Sequence, residues 1–257
     1  MNLDVEVALT PPATPPTPDW LAAALDARIA DGRLPPGTRL PSQRELATSV
    51  GLSRPMVREA ISRLVERGSV EVHPGRGAFV RQVRPEDAQR PLDRIYRRQA
   101  VTARSLVEAR TMLEGEAAAL AAQRATSDDL VRLRHHLDVF DAAATTSERA
   151  RADLAFHAAM VDAAHNPVIA TMFASIRRFV WQQLLRSLDD PDVSRAGVPH
   201  HREVYAAIER GDAMAARNAA AGHMEVALRW YGDDLDLPIV ELTDHPVIDP
   251  PAAAEDP

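Results

Sequence analysis

The 257-residue chain has no cysteine, and although 30 of its residues are basic it has no lysine: every one is arginine. The first absence excludes disulfides, thiolate catalysis and Cys-type zinc or iron–sulfur sites. The second excludes Schiff-base, P-loop and pyridoxal-phosphate lysine chemistry. Aromatic residues make up only 4% of the chain; Ala, Leu and Arg dominate instead, and these favour helix. No apolar run approaches the ~18–20 residues of a membrane span. The N-terminus has no basic segment leading into an apolar stretch, so no secretory signal and no membrane partner are expected, and a cytoplasmic location is.

What is present is unevenly distributed. The formal net charge is −7, from 37 acids against 30 bases, a balance that argues against nucleic acid until it is taken region by region. Residues 1–18 carry Asp4 and Glu6 and no base. Residues 19–84 carry 11 Arg against 7 acids, a balance of +4, and residues 85–257 carry 19 Arg against 28 acids, a balance of −9. A small basic block precedes a larger acidic one.

Proline punctuates the ends. The run Thr10-Pro11-Pro12-Ala13-Thr14-Pro15-Pro16-Thr17-Pro18 lacks donors and apolar bulk, so residues 1–18 read as a disordered or extended arm. Residues 236–257 read as a similar tail. Residues 19–84 read as helix, short helix, tight turn, helix and hairpin. Trp20, Leu21, Ala24, Leu25 and Ile29 recur at helical spacing. Ser42 and Glu45 form a capping box. Ser53 caps a third helix whose stripe is Val57, Ile61, Leu64 and Val65. Val70-Glu71-Val72 and Ala78-Phe79-Val80 flank the turn His73-Pro74-Gly75-Arg76-Gly77. Residues 85–100 read as a linker helix. Residues 101–235 show no strand signal; breaks near Thr126-Ser127, Thr145-Ser147, Asn166-Pro167, Pro191 and Gly211-Asp212 divide them into six or seven helices. The fold class is mainly α: a winged helix-turn-helix with a small β-hairpin wing, then an all-α bundle.

In a winged helix-turn-helix the third helix enters the major groove by its N-terminal end, which here holds Ser53, Arg54, Pro55, Met56 and Arg58. Arg54 and Arg58 lie at i and i+4, away from the apolar stripe, and arginine bonds guanine O6 and N7 bidentately. Ser42 and Arg44 suit phosphates or groove-edge bases. Gly75 and Arg76, at the hairpin tip, suit the minor groove. The bland alternative for each Arg is a solvated helix surface, the reading preferred for Arg63 and Arg67.

Three segments carry a specific resemblance: Leu40-Pro41-Ser42-Gln43-Arg44-Glu45-Leu46-Ala47, Gly51-Leu52-Ser53-Arg54-Pro55-Met56-Val57-Arg58-Glu59-Ala60 and Gly75-Arg76-Gly77-Ala78-Phe79-Val80. Together with Gly32 to Thr38, they resemble the DNA-binding domain of the GntR family of bacterial transcription regulators. Two positions depart from its pattern. Ser69 replaces an apolar residue, which is expected to loosen the wing. Ala78 replaces a frequent hydroxyl residue, which is expected to remove a phosphate contact.

In the acidic block, Asp153 and His157 at i and i+4 share a helix face, and His201 and His223 lie on later helices. One carboxylate and three imidazoles suit Zn²⁺, Ni²⁺, Mn²⁺ or Fe²⁺. On spacing alone an Asp/His side-chain bond or ordinary core and surface histidines fit as well, and His200 is an alternative to His201. His135, His136, His165 and His245 read as surface or helix-end residues. Glu108 to Glu114, Asp153-Leu154-Ala155-Phe156-His157, His201 with the segment Ala207 to Asp212, and His223 together are similar to the FCD-type effector domain of the FadR branch of the same family. That resemblance implies a divalent metal held by Asp153, His157, His201 and His223 beneath a small carboxylate effector, with Arg110 as a second anchor for the effector. Arg177 and Arg178 are further candidates. An intrahelical pair of Arg110 with Glu114 or Glu108 is the competing reading.

The expected function is a ligand-responsive repressor that binds a palindromic operator as a homodimer, with effector binding transmitted through residues 82–100. A regulator that senses the metal itself is the first alternative. A metal-dependent enzyme is a weaker one, since no base or nucleophile stands at motif spacing and no catalytic residue is expected.

Overall fold

The computed structural model describes residues 9–10, 12–82, 84–88, 92, 95–96, 98–188 and 191–239, the side chains of 86, 88 and 191–198 excepted. The chain divides into two compact units, Met1–Arg84 and Pro85–Pro257.

The first unit opens with α1 (Pro18–Ala30), whose start is set by Thr17: its Oγ1 accepts the Trp20 N–H at 3.1 Å, and Pro18 at the first turn has no N–H to satisfy. Helix α2 (Gln43–Val50) begins with the expected capping box. It ends at Gly51, whose φ of 71° is a left-handed cap that an L side chain resists. Ser53 then caps α3 (Arg54–Glu66). Strands β1 (Val70–His73) and β2 (Gly77–Val80) pair antiparallel, Val70 opposite Val80 and His73 opposite Gly77, one residue longer each than the sequence indicated. The segment before α2 lies along β2: the Leu40 N–H donates to the Ala78 carbonyl and the Val80 N–H to the Thr38 carbonyl, both at 2.8 Å.

Leu21, Leu25, Leu46, Val57, Leu64 and Val70 fill the core of this unit. Val65, expected in the α3 stripe, is instead exposed, because the buried arc ends at Leu64. The wing is anchored at the position expected to loosen it. Ser69 Oγ donates to Asp26 of α1 at 2.5 Å, so a hydroxyl fastens the wing's base where an apolar residue was anticipated. Of the expected arm, residues 1–8 and 11 lie outside the described residues; Leu9 packs against this core.

The second unit contains, among the described residues, six long helices: α4 (Ala103–Arg124), α5 (Ser127–Ala142), α6 (Thr146–Ala163), α7 (Pro167–Ser187), α8 (Pro191–Glu209) and α9 (Ala213–Tyr231). Capping boxes start α4 (Thr102 with Ser105), α5 (Thr126 with Asp129) and α6 (Thr145 with Glu148). Asn166 and Asp212 side chains cap α7 and α9. Helix α4 touches α6, α7, α8 and α9 and so forms the centre of the bundle. Of the expected linker helix 85–100, Pro85–Ala88 is a 3-10 turn packed on α7, and much of the rest lies outside the described residues. Residues 236–239 of the expected tail are held: Asp236 pairs with Arg104 at 2.7 Å, and the buried Ile239 donates its N–H to the Val101 carbonyl at 2.9 Å. Residues 240–257 lie outside the described set.

Candidate metal centre and nucleic-acid interface

In the first unit Ser42, Arg44, Ser53, Arg54, Pro55, Arg58, Gly75 and Arg76 are all exposed, and Met56 is half-buried against the core. The serines also cap: Ser42 Oγ accepts the Glu45 N–H at 3.2 Å and Ser53 Oγ the Met56 N–H at 3.4 Å, which leaves each hydroxyl hydrogen for an acceptor such as a phosphate oxygen. A groove of about 300 Å³ runs between the helices and the wing, lined by Arg39, Ser42, Arg44, Arg54, Val72 and Gly77. A second hollow of about 280 Å³ is lined by Arg39, Gly75, Arg76 and Phe79. Arg76 is steadied over the Phe79 ring, 5.7 Å from its centroid.

Arg39, which lines both hollows, belongs to none of the motifs singled out in the sequence. Its signal was alternation: in an extended segment neighbours face opposite ways, so the burial of Leu40 turns Arg39 outward. Gly77, at φ 110°, is needed here, since a Cβ would stand 3.3 Å from the Arg39 Nε. Arg63 and Arg67 are occupied elsewhere, Arg63 with Asp19 and Glu59 and Arg67 with Asp26.

In the second unit α6 supplies Asp153 and His157, α8 supplies His201 two residues beyond a proline within the helix, and α9 supplies His223. One ring nitrogen from each of His157, His201 and His223 lies within 4.8 Å of the others. His157 Nε2 stands 3.2 Å from His201 Nε2 and 3.2 Å from Asp153 Oδ1, while Asp153 Oδ2 is 3.6 Å from His201 Nε2. Asp153, His157 and His201 are buried and His223 is half-buried. Phe140 and Phe156 face the His201 ring, with centroids 5.7 and 5.0 Å away. His200, the alternative to His201, lies half-buried outside the cluster, 3.6 Å from Glu203.

This donor set fits a divalent ion. Two imidazole nitrogens each about 2.0–2.1 Å from one ion, at about 90–110° to each other, stand about 2.9–3.4 Å apart, and the 3.2 Å between His157 and His201 falls in that range. Asp153 Oδ1 and His223 Nδ1 are buried without a hydrogen bond, as is expected of groups whose partner is an ion or its surroundings. Burial holds His201 down at about 4, and burial, with the neighbouring His201 and His157, holds His223 well below its ordinary value; neutral imidazoles are the form that ligates. Burial alone would raise the Asp153 carboxyl, but His201 and His157 hold it below the usual range.

Arg110 is buried on α4. Its Nε–H donates to Glu114 Oε1 at 2.6 Å, an Nη2 N–H to Glu114 Oε2 at 3.4 Å and an Nη1 N–H to Gln183 Oε1 of α7 at 3.0 Å. The competing pair with Glu114 is therefore formed. Glu114, expected only as that partner, also reaches the centre: its Oε2 is 2.5 Å from His157 Nδ1. Burial would raise the Glu114 carboxyl, but Arg110 and then His157 outweigh it and hold the group at about 2. Burial opposes charge on His157 too, yet Glu114 and Asp153 lift it to about 9. The signal for Glu114 was its register: it follows Arg110 by one helical turn and projects from the central helix.

Residues 19–80 match the model for bacterial regulatory proteins of the gntR family, and residues 105–226 match the FCD domain. The Glc operon transcriptional activator of Escherichia coli is 28% identical over 91% of this chain and 93% of its own length. The Uxu operon transcriptional regulator of the same organism is 31% identical over 74% of this chain and 77% of its own. A solved structure, the GntR of Streptococcus agalactiae, shares the fold with a TM-score of 0.64 at 23% identity, covering 83% of this chain and 99% of that one. The chain belongs to the GntR family of bacterial DNA-binding transcription regulators and carries the FCD domain as its helical unit.

Proposed function

We propose that this regulator is a homodimeric repressor whose helical unit holds one divalent ion and a small carboxylate effector. The observation that carries the reading is the convergence of three imidazoles and Asp153 in the interior of a bundle, in the same chain as a DNA-reading unit. Asp153, His157, His201 and His223 would hold the ion; four protein donors leave an octahedral ion with open positions. When bound, the ion supplies a Lewis-acid contact for the effector's carboxylate. Arg110 is the second anchor. Three of its five N–H groups go to Glu114 and Gln183, which leaves two of the guanidinium's donors for a carboxylate oxygen.

On the DNA side, Arg54 and Arg58 would read base edges from α3. Ser42, Arg44, Ser53, Pro55 and Met56 would fix the approach of that helix, and Gly75 and Arg76 would take the minor groove. Arg39 joins them between wing and helix. A two-fold symmetric dimer matches a palindromic operator. The effector changes operator affinity only by the difference in its affinity for the DNA-bound and free forms.

Fluorescence anisotropy on DNA from upstream of the chain's own gene tests the reading. The metal-loaded dimer is expected to bind, and one member of a panel of small carboxylic acids to release it. Release by metal alone would favour a metal sensor. Binding unaltered by metal and by every acid would overturn the effector reading.

A further inference from the structure

The chain of charged contacts behind the histidines extends the metal reading and rests on it. We infer that Glu114 is a positioning residue for the centre: it fixes the His157 ring so that Nε2 faces Asp153 and His201, and Arg110 holds Glu114 in the place from which it does so.

The geometry gives each atom one role. Glu114 Oε2 lies 2.5 Å from His157 Nδ1, and a carboxylate at that distance only accepts. With an ion on Nε2, Nδ1 would carry the ring's one hydrogen toward Glu114, and Nε2, which stands 3.2 Å from Asp153 Oδ1 and from His201 Nε2, is the nitrogen left to ligate. Without Glu114 either ring nitrogen could be turned to the ion; with it, Nε2 is the nitrogen turned to Asp153 and His201. The carboxylate is itself fixed: both of its oxygens accept from Arg110, and Gln183 of α7 accepts from the far side of the same guanidinium. Arg110, Glu114 and His157 are at most 2% exposed, so bulk solvent is kept from replacing a lost partner. Carboxylate–histidine pairs behind a metal characteristically contribute 10–100-fold in affinity. The arrangement also couples Arg110 to the centre, because a ligand that drew its guanidinium from Glu114 would loosen His157 at the same time.

The test is a zinc titration of the full-length protein against a chromophoric chelator, for wild type, Glu114→Gln and Glu114→Asp, with circular dichroism to establish folding. Wild type is expected to bind one ion. Glu114→Gln should weaken binding about 10–100-fold, and Glu114→Asp, which keeps the charge, should recover part of that loss. Long-range ¹⁵N–¹H spectra of zinc-loaded wild type read the ring directly: His157 should carry its hydrogen on Nδ1 and hold the ion through Nε2. If Glu114→Gln does not fold, the spectrum decides, and a zinc-loaded ring with its hydrogen on Nε2 overturns the assignment. Folded Glu114→Gln that binds zinc within twofold of wild type overturns it as well. A wild type that takes up no zinc fails the metal reading itself, and the role of Glu114 falls with it.

Discussion

His157 and His201 come from helices far apart in sequence, yet their Nε2 atoms stand 3.2 Å apart in the interior of the bundle. Two lone pairs aimed at one point are unfavourable unless a proton or a cation lies between them. Burial holds His201 neutral, whereas His157 is lifted by Glu114 and Asp153 against the effect of its own burial. Metal-free and at neutral pH, His157 would carry a hydrogen on Nε2 toward Asp153 and His201; a bound ion would take its place.

Metal loading should therefore stabilise the fold. Zinc or nickel at about 100 times its dissociation constant adds about 2.7 kcal/mol to the state that binds it, and the melting transition should rise accordingly. Addition of a chelator should reverse the rise. His201→Ala should abolish the dependence on metal, as read by differential scanning fluorimetry with and without the ion.

The exposed arginines of the first unit should separate into two kinds. Arg54→Ala and Arg58→Ala are expected to relax sequence preference, each by about 1–3 kcal/mol at the base it reads. Arg39→Ala and Arg44→Ala are expected to weaken all sequences more evenly and to lower the salt slope by about one phosphate contact each. Binding isotherms on specific and random DNA at several salt concentrations distinguish the two kinds. An Arg54/Arg58 double variant that kept its preference would remove α3 as the reading helix.

Asp129 should contribute to acid sensitivity. The buried carboxylate accepts from the Thr126 N–H at 2.8 Å, from the Thr126 hydroxyl at 2.7 Å and from His165 Nε2 at 2.9 Å, and it pairs with Arg132. Burial alone would raise it, but these partners hold it below its ordinary value. A carboxyl lower in the folded state than in the unfolded one stabilises the fold above the unfolded value of about 3.9. That stabilisation is lost as pH falls through the folded value. Asp129→Asn should therefore cost about 1–3 kcal/mol at neutral pH and less in acid, once the pH has fallen through the folded value. Urea unfolding at neutral pH and in acid measures the difference, and equal costs at the two would refute it.

The bundle core should behave as a packed interior. Phe179 of α7 is buried against Tyr96, ring centroids 5.9 Å apart. Phe179→Ala should destabilise the second unit by about 3–5 kcal/mol, measured by chemical denaturation of the metal-free chain.

Most of the architecture was legible because local signals agreed. Ser42 with Glu45, Gly51, Ser53 and the Val57/Ile61/Leu64 spacing point the same way, and the helices begin and end where those signals stand. The centre was legible as a set of candidates, because Asp153 and His157 share a helix face by arithmetic. What was not legible depends on tertiary packing. Arg39 faces outward by alternation with Leu40, but its place between helix and wing comes from the pairing of its segment with β2. Ser69 owes its role to Asp26 on another helix. Glu114 owes its contact with His157 to the crossing of α4 and α6, which spacing within one helix does not disclose.

The metal centre is tested most directly by the metal content of the purified chain, measured by inductively coupled plasma mass spectrometry after gentle preparation, for wild type beside the His157→Ala/His201→Ala double variant. About one divalent ion per wild-type chain, lost from a folded double variant, is expected. Wild type without an ion after exposure to zinc, nickel, manganese and iron, or a double variant that retains as much as wild type, would rule the centre out.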